Sequence, residues 1–114
     1  MVRNYRQGDI VILNFDPQEG HEQKGRRPAI VVSNDVFNRY SSVLLVCPIT
    51  HTANNNPFRV ELSGSANFDG YVMCDQVKAL DLNARGASFA ERMPEDVIAE
   101  VVDVITAIIE RGTE

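Results

Sequence analysis

A mostly β domain, a small and strongly curved antiparallel barrel with one C-terminal helix, is what this 114-residue sequence predicts. Three observations lead there. Five to seven short runs of β-branched and apolar residues alternate with turn signals. The connections between them are too short for parallel crossovers, which need about a dozen residues or more. Helical periodicity is strong only near the end.

The first strand is expected over 9–15 (Asp-Ile-Val-Ile-Leu-Asn-Phe), with alternation weak enough that both faces are covered. Asp16-Pro17 signals a turn, and a charged loop with Gly20 and Gly25 runs to Arg27. Pro28 opens a second strand over 29–33, a position proline tolerates at a strand start or edge. Val36, Phe37 and Tyr40 have the spacing of one short helical turn within 34–40, before a third strand over 43–48. The loop 50–56 carries three consecutive asparagines, which suit turns and left-handed backbone. Residues 57–62 alternate as a half-buried strand, and 63–69 form a loop. Residues 70–74 and 76–80 read as a long or bulged strand pair interrupted by Asp75, and 85–89 as a last short strand. Pro94-Glu95-Asp96 opens the helix over 94–110. Its apolar face runs through Val97, Val101, Ile105 and Ile108, and Arg111-Gly112 closes it. At about 1.5 Å per residue it spans roughly 25 Å, enough to cover one face of a small sheet.

Length allows one compact domain over 1–114 and not two. No apolar run reaches the roughly 18 residues of a membrane span, and the N-terminus lacks the apolar core of a signal peptide, so a cytoplasmic protein is expected. Cys47 and Cys74 sit in apolar runs and read as buried small hydrophobes. No Cys-x-x-Cys, His/Cys cluster or paired-carboxylate spacing suggests a metal, and no cofactor is expected. Charge is uneven. Residues 1–60 carry seven Lys/Arg against five Asp/Glu, and residues 61–114 carry four against eleven, giving −5 in all. A non-specific nucleic-acid binder is disfavoured, but a local positive patch in the first half is allowed.

Two strand ends carry the chemistry. Glu22-Gln-Lys-Gly-Arg-Arg-Pro-Ala-Ile-Val-Val32 runs a polar loop into a strand with Arg27 at the junction. A guanidinium there can offer its donor fork to a phosphate, or pair with nearby acids. Arg26 should face the other way. Cys47-Pro-Ile-Thr50-His51 ends a second strand in a hydroxyl, which can bond a phosphate oxygen or cap a turn. Glu22 and His21 can transfer protons or remain solvated loop polarity. Asp75 and Gln76 interrupt an apolar run and can satisfy backbone groups or an arginine. Arginine and hydroxyl groups without a metal suit RNA cleavage, because RNA supplies its own 2′-hydroxyl nucleophile.

The chain resembles the MazF/PemK/Kid toxins of bacterial toxin–antitoxin systems. The resemblance rests on Gly8-Asp9-Ile10-Val11, Phe15-Asp16-Pro17, the segment from Gly20 to Ser33, Cys47-Pro48-Ile49-Thr50, Pro57-Phe58 and Asp75-Gln76-Val77-Lys78-Ala79-Leu80. It implies an SH3-like β-barrel homodimer that cuts single-stranded RNA without a metal, leaving 2′,3′-cyclic phosphate and 5′-hydroxyl ends. It also implies a cognate antitoxin whose acidic, disordered tail blocks the RNA groove. Arg27 and Thr50 become the catalytic pair, with Glu22 a further catalytic residue; His21, where the chain departs from the smaller residues of the family, is read as an acid/base helper to Glu22. Lys24, Arg26, His51, Arg59, Asp75, Gln76 and Lys78 become RNA contacts, and Arg3 adds to the positive patch. The competing readings are a non-enzymatic, gyrase-binding toxin like CcdB, and a catalytically silent RNA- or partner-binding module.

Overall fold

The computed structural model describes residues 4–15 and 25–112, in the order β1 (Asp9–Asn14), β2 (Arg26–Val31), α1 (Asp35–Tyr40), β3 (Leu44–Thr50), β4 (Arg59–Glu61), β5 (Tyr71–Met73), β6 (Lys78–Leu80), β7 (Ser88–Arg92) and α2 (Glu95–Ile109). All pairings are antiparallel. The sheet runs β4-β5-β3-β2-β1-β7, with β6 added along β3. β4 and β7 therefore stand at the two ends of this path. The sheet is barrel-like without a closing backbone ladder, and the expected antiparallel β fold with a C-terminal helix holds in that sense.

Both faces of the central strands are covered, as the weak alternation in 9–15 implied. Ile10, Ile30, Cys47, Ile49 and Val72 face α2, whose Val97, Ile98 and Val101 pack among them. Val11, Leu13, Ala29, Val31 and Val46 face the other way, against Tyr5, Leu80 and Leu82. Each such aliphatic burial stabilises by about 1.5–3 kcal/mol before the entropy cost. Tyr5 also donates its hydroxyl to the Ala87 carbonyl at 3.0 Å, which ties the N-terminal segment over this second core.

Several boundaries differ from the sequence reading. β2 starts at Arg26, three residues early, because Phe15 donates to the Gly25 carbonyl (2.9 Å) and carries the β1–β2 ladder back past Pro28. Pro28 is opposite Ile12 on β1, but pairing with β3 begins only at Ala29. β5 and β6 each pair with β3, at residues 49–50 and 44–46. Five residues, 73–77, then stand opposite only Cys47 and Pro48, so the chain bulges there. Proline at 48 has no N–H to hold a ladder across that gap. The last strand falls at Ser88–Arg92, later than expected, and carries a bulge opposite Ile10/Val11.

α1 forms with Asn34 as N-cap, accepting from the Phe37 N–H at 2.9 Å. Its helical spacing does not mark a core: Val36, Phe37 and Tyr40 are all exposed. α2 packs through Val97, Ile98 and Val101 and, partly buried, as far as Ile105. Ile108 and Ile109 of the expected apolar face are exposed, because the helix runs past the sheet it covers. Pro94 is the N-cap itself, one residue before the first turn.

Candidate functional site

Extending the β2–β3 register two residues beyond its last pair, Ala29 with Pro48, sets Arg27 across from Thr50 and Pro28 across from Ile49. Pro28 cannot donate a backbone hydrogen bond, and the two strands part there. The parted ends open a groove of about 610 Å³ lined by Arg27, Pro28, Ile49, Thr50, His51, Thr52, Asn67, Phe68 and Asp69. Arg27 is exposed while its strand is buried from Ala29 onward, so its backbone is fixed and its fork is free to meet a ligand. The Thr50 hydroxyl accepts from the Thr52 N–H at 3.3 Å, which leaves its own proton available for donation into the groove.

The backbone under Thr50 is pressed from behind. A Cβ built on Gly70, at φ +118°, would stand 2.3 Å from the Thr50 carbonyl oxygen. No side chain fits there without moving Thr50.

The groove wall opposite Arg27 is the β4–β5 loop, and Glu91 of β7 holds it. The Glu91 carboxylate accepts from the Ala66 N–H (2.7 Å), the Ser65 hydroxyl (2.8 Å) and the Asn67 N–H (3.2 Å). Ser65 in turn accepts from the Phe68 N–H at 2.9 Å. These donors, the Ala66 N–H foremost, hold the Glu91 carboxyl below the usual glutamate range. The clasp joins β7 to the loop that follows β4, between the strands at the two ends of the sheet path.

The remaining sequence-predicted residues lie elsewhere. Arg26 points to the opposite side from Arg27 and donates to the Gly86 carbonyl (2.9 Å) and the Ser88 hydroxyl (3.2 Å). Arg59 donates to the Thr52 carbonyl and so tethers the rim loop, in which Asn54 and Asn55 take left-handed backbone (φ 54° and 52°). Asp75 is exposed on the bulge between β5 and β6, Gln76 and Lys78 are half-buried beyond it, and none of the three lines the groove. The Gln76 Oε1 is buried without a partner among the described residues. His21, Glu22, Lys24 and Arg3 lie outside the described residues. Arg27, Thr50 and His51 are thus brought together, and Asn67, Phe68 and Asp69 join them from a stretch read only as a loop, with Gly70 behind Thr50 at the expected start of the next strand. A glycine directly before an apolar strand was the available signal for Gly70. Nothing local marked the other three.

A second polar cleft, about 350 Å³, lies between residues 4–6 and α1. Its Arg6 is already paired with Asp35 at 3.2 Å, which leaves less free charge for a ligand.

The sequence profile of the family described as PemK-like, MazF-like toxin of type II toxin–antitoxin system matches residues 6–109. The chain is 37% identical over 106 residues to Endoribonuclease PemK of Escherichia coli, covering 90% of this chain and 80% of that protein. It is 42% identical over 81 residues to Endoribonuclease toxin MazF of Escherichia coli (strain K12), covering 71% and 72%. The crystal structure of MazF (Form-I) from Deinococcus radiodurans superimposes with TM-score 0.86 at 37% identity, over 95% of this chain and 98% of that one. The MazE-MazF (Form-II) crystal structure from the same organism gives TM-score 0.81 at 37% identity, over 95% and 97%.

Proposed function

Since this chain belongs to the PemK-like, MazF-like toxins of type II toxin–antitoxin systems, we propose that its Arg27–Thr50 groove cleaves single-stranded RNA by attack of the RNA's own 2′-hydroxyl. The chain is an endoribonuclease toxin, as its named relatives are. The observation that carries the proposed chemistry is the common rung: a guanidinium and a hydroxyl on two parted strand ends, facing one open groove.

In the proposed reaction the 2′-hydroxyl gives up its proton and its oxygen bonds to the adjacent phosphorus. The bond from phosphorus to the 5′-oxygen breaks, and that oxygen takes a proton. The products are a 2′,3′-cyclic phosphate and a 5′-hydroxyl. An arginine stays protonated, so Arg27 stabilises the charge that builds on the phosphorane oxygens rather than removing the proton. Thr50 donates to a non-bridging oxygen. Glu22, with His21 beside it, is the proposed proton acceptor. The reaction needs no metal, because cation and nucleophile are already supplied by the guanidinium and the RNA.

His51 is the proposed RNA contact at the groove mouth, and Arg59 shapes the rim through Thr52. Lys24 is a proposed RNA contact, and Arg26, Asp75, Gln76 and Lys78 are proposed to meet RNA only where it extends beyond the groove. The antitoxin is proposed to block this same groove with an acidic tail, which Arg27 and its neighbours would attract. The toxin would act in the cytoplasm as a homodimer, with the exposed Tyr40 and Ile109 among the apolar side chains a partner could cover. Among the described residues no helix is long and apolar enough to cross a membrane.

The test is incubation of the purified protein with mixed-sequence single-stranded RNA in EDTA, followed by mapping of both new ends. Cyclic-phosphate and 5′-hydroxyl termini that vanish with Arg27→Ala are expected. Intact RNA, 5′-phosphate ends, or cleavage that survives Arg27→Ala would overturn the mechanism.

A further inference from the structure

Asp69 is an exposed carboxylate on the wall of a groove read above as binding a polyanion, and it has no partner among the described residues. A fixed negative charge facing a phosphate is repulsive. Facing a base edge it is useful, because a carboxylate accepts two hydrogen bonds side by side. In single-stranded RNA the base edges are free to be read. Among the four bases guanine offers two adjacent donors, N1–H and the 2-amino group, on its Watson–Crick edge.

The loop that carries Asp69 is not left to find its shape on binding. Glu91 gathers Ser65, Ala66 and Asn67 by the hydrogen bonds given above, and Phe68 roots the loop in the helix-facing core. Asp69 itself is followed by Gly70, which is locked against Thr50. The wall therefore has a fixed position relative to the hydroxyl that meets the scissile phosphate. Preorganised groups of this kind discriminate without an added ordering cost.

We propose that the β4–β5 loop is the base-reading wall of the groove, with Asp69 selecting a guanine beside the scissile phosphate and Glu91 acting as the positioning residue that presets it. This rests on the endoribonuclease reading. Asp69 makes the contact, and Glu91 acts through the loop without touching RNA.

The experiment maps cleavage sites, kcat and KM for the wild type, Asp69→Asn, Glu91→Ala and Glu91→Gln on one mixed-sequence single-stranded RNA. Thermal midpoints check folding. Asp69→Asn lies on an exposed side chain and should fold as the wild type does. It should keep cutting RNA but lose roughly tenfold or more of its guanine preference at one position, the scale of a lost bidentate base contact. Glu91→Ala should relax the same position and raise KM with kcat changed much less. Glu91→Gln, which keeps one acceptor oxygen, should fall between. Cleavage by the wild type with an unchanged site map in Asp69→Asn would overturn this inference and leave the endoribonuclease reading standing. Wild-type protein that leaves the RNA intact would overturn both.

Discussion

Arg27 and Thr50 occupy the same rung of the β2–β3 register, two residues past the last pair, with Pro28 standing between Arg27 and the start of pairing. The proline matters as much as the two functional groups. A donor at that position could extend the ladder toward Ile49 and draw the strands together over the groove. The missing N–H keeps them apart where a ligand must enter. The proposed catalytic pair thus stands at the end of a buried ladder and yet opens to the groove.

Arg27→Ala should lower RNA cleavage by roughly 10²–10³-fold or more, the scale seen when one donor to a developing oxyanion is removed. Its effect on the thermal midpoint should be small, since the side chain is exposed. Arg27→Lys keeps the charge but loses the planar fork, so it should recover only part of the rate. Thr50→Ser should be milder than Thr50→Ala, because the hydroxyl survives. Equal losses in the two Thr50 variants would remove the hydroxyl from the mechanism.

Gly70→Ala should damage the site from behind. The new methyl would collide with the Thr50 carbonyl and must also adopt φ near +118°, which L-residues avoid. Loss of about 1–3 kcal/mol of stability is expected from that strain, together with a fall in kcat. Denaturant titration and single-turnover cleavage measure the two separately. A fully stable, fully active Gly70→Ala would mean that Thr50 tolerates displacement.

The chain of short strands, the final helix and the Arg27/Thr50 junctions were legible because local rules govern them. β-branched runs make strands, Pro94 and the acids start a helix, and polar residues at strand ends face solvent. What escaped was set by tertiary register. No local signal says that 65–69 folds back beside Thr50, because the hold is a carboxylate some twenty-five residues away. The exposure of the apolar residues of α1 and of the last turn of α2 is hidden from the sequence for a related reason. Helical spacing reveals a face, but only packing decides whether anything covers it. Proline at 28 marks a strand start in sequence, but in the fold it lies inside β2, paired with Ile12, and only ends the pairing with β3.

Acid should loosen the groove wall in a way that traces to Glu91. Its folded-state carboxyl lies below the ordinary glutamate value of 4.5, first through the Ala66 N–H. A depressed carboxylate contributes its stability above the unfolded value and loses it as pH falls through the folded one. Asp35, lowered chiefly by the Gln7 N–H and further by the Arg6 guanidinium, follows the same sign. The wild type should therefore exceed Glu91→Gln in thermal midpoint at pH 6–7, with the gap closing as pH drops below 4.5. A gap that stayed constant down to pH 3 would show that ionisation of Glu91 contributes nothing to the clasp.

The two thiols should behave as core atoms rather than as reactive groups. Cys47 and Cys74 are both free, buried and part of the helix-facing cluster. Burial, then the negative charge of Asp75, pushes the Cys74 thiol up to about 11, and burial raises Cys47 further. Only the thiolate attacks an alkylating reagent, so at pH 8 Cys74 would present about one reactive form in a thousand even if the reagent could reach it. Native protein should resist iodoacetamide at pH 8 and take up two labels on unfolding in urea. The labelling rate at low urea should then follow global opening, and stabilising variants should slow it. Fast labelling of either cysteine under native conditions would place it in a segment that opens locally. The first suspect would be the bulge over 73–77, where the β3 ladder is interrupted.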